Sequence, residues 1–194
     1  MAFILGLDVS TSCTGWCILK DTGEFVDLGS IKLTSYKSSY KKAGVIRDTL
    51  SELLIKYEVN HVYIEENLQA FRPGLSSAKT LSTLARFNGI VSLLCYEIFN
   101  LEPEHLNVNA ARKMMGIKLI RKKHGGKPTK EQIFVWVSDQ IENEYQGYQW
   151  PIKILKSGPR KGEMILDPSS YDMADAYVIS RAGQYKLNIK KNVS

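Results

Sequence analysis

Little in this 194-residue chain could cross-link it. Its three cysteines, Cys13, Cys17 and Cys95, are an odd number without a Cys-x-x-Cys pair. That excludes a disulfide framework and fits buried thiols in a reducing compartment. Histidine is equally sparse: His61, His105 and His124 stand far from the cysteines and from one another, which argues against a zinc cluster. No run of about 18 apolar residues occurs, so no membrane span is expected. The opening MAFILGLDVS has no basic leader ahead of its apolar run and does not read as a signal peptide, so the expected location is cytoplasmic. Acidic residues are in deficit as well, 20 Asp and Glu against 26 Lys and Arg, a formal net charge of +6. A positive excess of this size points weakly towards a polyanionic partner.

What is present suits one folded domain over residues 1–194. Hydrophobic residues make up 44% and charged residues 24%, a composition that rules out wholesale disorder. Phe3–Val9, Thr14–Lys20 and Phe25–Leu33 are apolar runs of strand length separated by short polar turns, and they predict three strands joined by hairpins. The polar loop Thr34–Lys42 leads into a helix with Val45, Thr49, Leu53 and Tyr57 lining one face beside Ile46, Leu50 and Leu54. His61–Glu66 follows as a buried parallel strand. Helical spacing then runs from Ser76 to Phe99, and Ile90, Leu93 and Phe99 extend it beyond one buried stripe. His105–Val108 predicts a fifth strand and Ala110–Met115 a short helix. A further helix begins near Pro128 and buries Ile133, Trp136, Val137 and Ile141. Between Tyr145 and Ser170 the pattern is irregular, with Ile152–Leu155 and Met164–Leu166 as a hairpin. A final helix spans about Tyr171 to Gly183. This order predicts an α/β fold with a five-stranded mixed sheet, three antiparallel hairpin strands plus two parallel strands, flanked by helices.

Four carboxylates stand out by position. Asp8 closes the first strand and Glu65 the fourth, and parallel strands present their C-terminal ends at the edge where open α/β sheets bind ligands. Asp172 and Asp175 lie three apart in the last helix and project from one face. Packing that face against the same edge would gather four acids into one pocket. Alone they would repel and raise one another's pKa, a conflict that divalent cations remove. Hard cations such as magnesium take carboxylate oxygens, and a pair of them suits in-line attack on a phosphodiester. Taken singly, each acid could instead cap a turn or a helix start. The apolar residues before Asp8 and Glu65 make an unpaired charge expensive there.

The segments ILGLDVSTSCTGWCIL, VYIEENL and YDMADAYVIS, in that order, resemble the RuvC-type Holliday junction resolvases of the RNase H-like superfamily. The resemblance covers Phe3 to about Ile179. That family's first strand ends in an Asp followed by a Ser-x-x-Thr-Gly-aromatic turn, matched here by Asp8, Ser12 (one residue tight), Thr14, Gly15 and Trp16. Its fourth strand ends in Ile-Glu, matched by Ile64 and Glu65. Its last helix carries Asp-x-Ala-Asp-Ala, matched by Asp172, Ala174, Asp175 and Ala176. The resemblance implies an RNase H-like fold and a homodimeric, magnesium-dependent endonuclease that cuts four-way DNA junctions symmetrically. Two Mg²⁺ ions per site, replaceable by Mn²⁺, would be held by Asp8, Glu65, Asp172 and Asp175 as catalytic ligands. It further implies a bacterial or bacterial-virus origin. Glu66 competes with Glu65, but strand alternation sends it to the opposite face. The family also has a basic residue in the helix after the fifth strand and another before the next helix. Arg112 or Lys113 matches the first and Lys130 the second. The segment 145–170 is longer than the family's usual link.

Between residues 112 and 130 lie Arg112, Lys113, Lys118, Arg121, Lys122, Lys123, Lys127 and Lys130, uninterrupted by any acid. Gly125, Gly126 and Pro128 make the middle a loop suited to following a phosphate backbone. Lys153, Lys156, Arg160 and Lys161 form a second cluster. Lys37, Lys41 and Lys42, interleaved with Tyr36 and Tyr40, form a third. Such runs are more often solvated loops, yet beside clustered acids they would let phosphates approach. Phe71 and Arg72 are candidates for insertion at an opened junction. The competing readings are another RNase H-like nuclease acting on branched DNA or RNA–DNA hybrids, and a junction-binding protein without activity. A sugar-kinase or heat-shock-type ATPase is disfavoured, because it needs two duplicated domains and about twice the length.

Overall fold

The structure, a computed structural model, describes residues 2–66 and 78–193. Phe71 and Arg72 lie outside the described residues. β1 (Phe3–Asp8), β2 (Cys13–Lys20) and β3 (Phe25–Lys32) form an antiparallel meander, followed by α1 (Ser39–Lys56) and β4 (Val59–Glu65). Next come α2 (Ala78–Phe99), β5 (Glu104–Leu106), α3 (Val108–Met114), a 3₁₀ turn at Lys122–His124 and α4 (Thr129–Glu144). A small hairpin of β6 (Ile152–Ile154) and β7 (Met164–Leu166) precedes α5 (Ser169–Val193). The main sheet has the order β3-β2-β1-β4-β5, with β4 parallel to both β1 and β5. This is the mixed sheet expected from the sequence.

Alternation along the strands divides the core into two layers. Leu5, Leu7, Ile18, Val62 and Ile64 point to one face, where they pack with Ile46 and Leu50 of α1 and Phe87, Val91 and Leu94 of α2. Ile4, Cys17, Leu19 and Tyr63 point to the other, against Ala174, Tyr177 and Val178 of α5 and Ile133, Val137 and Ile141 of α4. The central helix of this second layer is α5, and it is longer than the sequence pattern suggests. Gly183 does not stop it. A Cβ at Gly183 would collide with the ring of Tyr63, so the glycine makes room for that ring under the helix. The start of α5 also comes earlier than Tyr171, because Asp167 caps it: the backbone amide and the hydroxyl of Ser169 donate to Asp167 Oδ1 at 3.0 and 2.8 Å. Trp136 is only partly buried and packs against the core from its rim.

Candidate active site

Leu7 lies beside Ile64 in the parallel pair β1–β4. One residue further along, Asp8 and Glu65 end these neighbouring strands at the same edge of the sheet. Alternation puts Asp8 on the side of Ile4 and Gly6, and Glu65 on the side of Tyr63, which is the layer covered by α5.

Two glycines let α5 lie directly on the strands. A Cβ on Gly6 would strike Ser180 and sit 2.8 Å from the Ala176 carbonyl oxygen. Gly15, which pairs across the ladder with Asp8, lies against the first turn of α5. A Cβ there would fall on the Asp172 carbonyl and lie 2.8 Å from Met173 N. The Thr-Gly-aromatic motif thus has a packing cause: only a hydrogen at Gly15 lets Asp172 approach β2 beside the residue that pairs with Asp8. Ser180 Oγ fixes the helix two turns further on, donating to the Cys17 and Ala176 carbonyls at 3.1 Å.

Asp8 lies within electrostatic reach of the other three carboxylates. Burial raises the Asp8 pKa well above the usual carboxylate range, and the charges of Glu65, Asp175 and Asp172 raise it further, with Lys130 opposing. Burial and the charge of Asp175 push Glu65 up to about 7, against the lowering effect of Arg112, Lys130 and a hydrogen bond with Asp8. Asp172 is also raised, chiefly by burial, while Lys130 and a hydrogen bond from the Cys13 thiol draw it down. Burial and the neighbouring Asp172 push that thiol up to about 12, so it stays protonated and acts as a donor. Glu65 is thus joined to the cluster by the charge of Asp175 and by its hydrogen bond with Asp8.

Two basic residues partly balance the four acids. Arg112 Nη2 lies 3.0 Å from Asp175 Oδ1, both side chains largely buried, and Lys130 Nζ lies 3.5 Å from Asp172 Oδ1. Of the two positions the sequence left open, Arg112 faces the acids and Lys113 is exposed. Arg112 Nε is buried and has no hydrogen-bond partner among the described residues. Lys118, Arg121, Lys122, Lys123 and Lys127 line the exposed segment between α3 and α4, and Lys113 is exposed in the last turn of α3. Among the described residues, no three His, Cys, Asp or Glu side chains converge as a ready-made coordination sphere. Asp172 and Asp175 are turned instead to their basic partners. The donor set nevertheless fits hard divalent cations, since every group is a carboxylate and the anionic cluster is only half compensated.

Sequence reasoning missed the support beneath Glu65. Asn88, 3% exposed on an otherwise apolar stripe of α2, donates from Nδ2 to the Glu65 carbonyl at 3.1 Å. His105 Nε2 lies 3.1 Å from Asn88 Oδ1, and Ser92 Oγ donates to the Asn88 carbonyl at 2.9 Å. The only signal was a buried polar residue in a helical apolar stripe, and its partners are remote in sequence.

No family model matches the chain. Two curated crossover junction endodeoxyribonucleases RuvC, from Helicobacter pylori strains G27 and P12, are each 29% identical to it over 133 residues, covering 67% of this chain and 76% of theirs. Thermus thermophilus RuvC in complex with a Holliday junction substrate superposes with a TM-score of 0.63 at 14% identity, over 97% of this chain and 96% of that one. The yeast mitochondrial Holliday junction resolvase superposes with a TM-score of 0.54 at 17% identity, over 98% and 84%. The chain is thus similar in sequence to these RuvC endonucleases and shares the RNase H-like fold of the resolvases of known structure.

Proposed function

We propose, from this similarity, that the protein is a Holliday junction resolvase, a divalent-metal-dependent endodeoxyribonuclease that cuts four-way DNA junctions symmetrically. The observation that supports the reading is that Asp8, at one sheet edge, feels the charges of Glu65, Asp172 and Asp175, which come from two other elements. These four would hold two Mg²⁺ ions, with Mn²⁺ as a substitute. Such ions, when bound, supply an acidified attacking water and stabilise the leaving oxygen.

The chain's own groups prepare that chemistry. Asp8 and Glu65 must lose the protons that burial favours, so the site is competent only where both are ionised. Arg112 and Lys130 face the acids and bring positive charge to the place a phosphate must enter. Lys113, Lys118, Arg121, Lys122, Lys123 and Lys127 would follow the backbone of the bound DNA, and Phe71 and Arg72 remain candidates for insertion at the junction. The expected homodimer is supported by α2, where Leu93 and Tyr96 are 56% and 49% exposed, although Phe99 turns into the core.

The test is cleavage of a synthetic four-way junction, an RNA–DNA hybrid and a linear duplex in magnesium. Paired symmetrical nicks confined to the junction support the reading. Equal cutting of all three would replace it with a general RNase H-like nuclease.

A further inference from the structure

The carboxylate edge is flanked on two sides. Beside α3, Asn109, Arg112, Lys113 and Lys118 border a recess of about 350 Å³. On the opposite side a trough of about 680 Å³ opens between the β6–β7 hairpin and the start of α5. Its walls carry Lys32, Lys153, Ile154 and Lys156, and it ends at Cys13 and Asp172. The site thus lies between two basic hollows.

The hairpin contributes little to the core. Ile152, Ile154 and Met164 are 63%, 56% and 69% exposed. Its base, however, is firmly seated. Asp167 N donates to the Pro151 carbonyl at 2.8 Å, and Trp150 packs edge-on against Phe134 and Tyr148 at 4.7 and 5.2 Å between ring centroids. Its charge is also uneven. Arg160 is matched by Glu163 at 2.7 Å and Lys32 by Asp167 at 2.6 Å. No carboxylate pairs with Lys153 or Lys156 among the described residues. An anchored ribbon that holds two uncompensated ammonium groups and bare isoleucines over a trough leading to acids is complementary to a polyanion with apolar rungs.

We propose that this trough is a second nucleic-acid channel, in which Lys153 and Lys156 each meet a backbone phosphate of the strand leading away from the cut and Ile152 and Ile154 lie against its sugars. The inference rests on the nuclease reading above and adds the path of the strand on the Asp172 side. Each cation that meets a phosphate releases counterion, so the lysines set part of the salt dependence of binding.

The experiment compares wild type, K153Q/K156Q and the control K20Q/K56Q at the opposite edge of the sheet, measuring affinity for a synthetic four-way junction from low to moderate salt without a metal that supports cleavage. The trough variant should lower the slope of log affinity against log salt by roughly 1.4 to 1.8, two phosphate contacts at about 0.7 to 0.9 each. The control should leave the slope unchanged. An unchanged slope in K153Q/K156Q, or an equal fall in the control, overturns the channel and leaves the nuclease reading standing. A wild type that does not bind the junction overturns both.

Discussion

Replacing Gly15 with alanine tests how the site is assembled without touching a carboxylate. The added methyl would fall on the Asp172 carbonyl and sit 2.8 Å from Met173 N, where ordinary contact begins at 3.4 Å. Both obstacles are helix backbone, which cannot turn aside as a side chain can. The first turn of α5 must therefore retreat from β2 by at least roughly 0.6 Å, and further at the Asp172 carbonyl. Overpacking of this kind costs about 1–3 kcal/mol. For a chain of this size that lowers the thermal midpoint by roughly 2–4 °C per kcal/mol. The larger effect should fall on activity, because a displacement on the order of 1 Å at a reacting centre costs about 100-fold in rate. Single-turnover nicking of a four-way junction, run well below the melting transition, separates the two losses. Gly44→Ala, in open space on α1, is the control and should gain up to about 1 kcal/mol as an ordinary helix substitution. A Gly15→Ala protein that nicks at the wild-type rate would refute the claim that this glycine positions Asp172.

The remaining expectations follow from the charge cluster. Glu65 titrates near 7 in the fold, above its usual 4.5, so the metal-free native state binds the extra proton between these values. Its contribution to stability is therefore full below about 4.5 and lost as pH rises through 7; the metal-free thermal midpoint should fall over that window, and Glu65→Gln should flatten the decline. Asp8→Asn should cut nicking by at least about 100-fold while raising the metal-free midpoint, since it removes a buried charge from among three others; calorimetry that shows a lower midpoint would contradict the electrostatic reading. Arg112→Ala leaves Asp175 buried without its partner and should cost about 3 kcal/mol in denaturant unfolding, with Arg112→Lys restoring part of the loss.

Much of this arrangement is legible in the amino-acid order because it depends on local signals. Apolar runs ending in Asp8 and Glu65 mark strand ends, and the three-residue spacing of Asp172 and Asp175 puts them on one helix face. The limits of α5 were harder to read. Asp167-Pro168 is a capping signal, but an irregular stretch precedes it, and Gly183 looks like a stop when its real constraint is the ring of Tyr63, 120 residues away. Tertiary pairing also hid which basic residue mattered. Arg112 and Lys113 are equivalent by spacing, and only the docking of α3 beside α5 turns the first towards Asp175. The Asn88–His105 support was invisible for the same reason, being made wholly of contacts between distant segments.

The most direct measurement is anomalous diffraction from crystals soaked in Mn²⁺ above pH 7, where Glu65 is ionised. Two manganese peaks should appear within about 2.0–2.3 Å of carboxylate oxygens of Asp8, Glu65, Asp172 and Asp175, with Arg112 and Lys130 released from the aspartates they now face. Peaks elsewhere on the surface, or none, with the Arg112–Asp175 and Lys130–Asp172 pairs intact, would contradict the account.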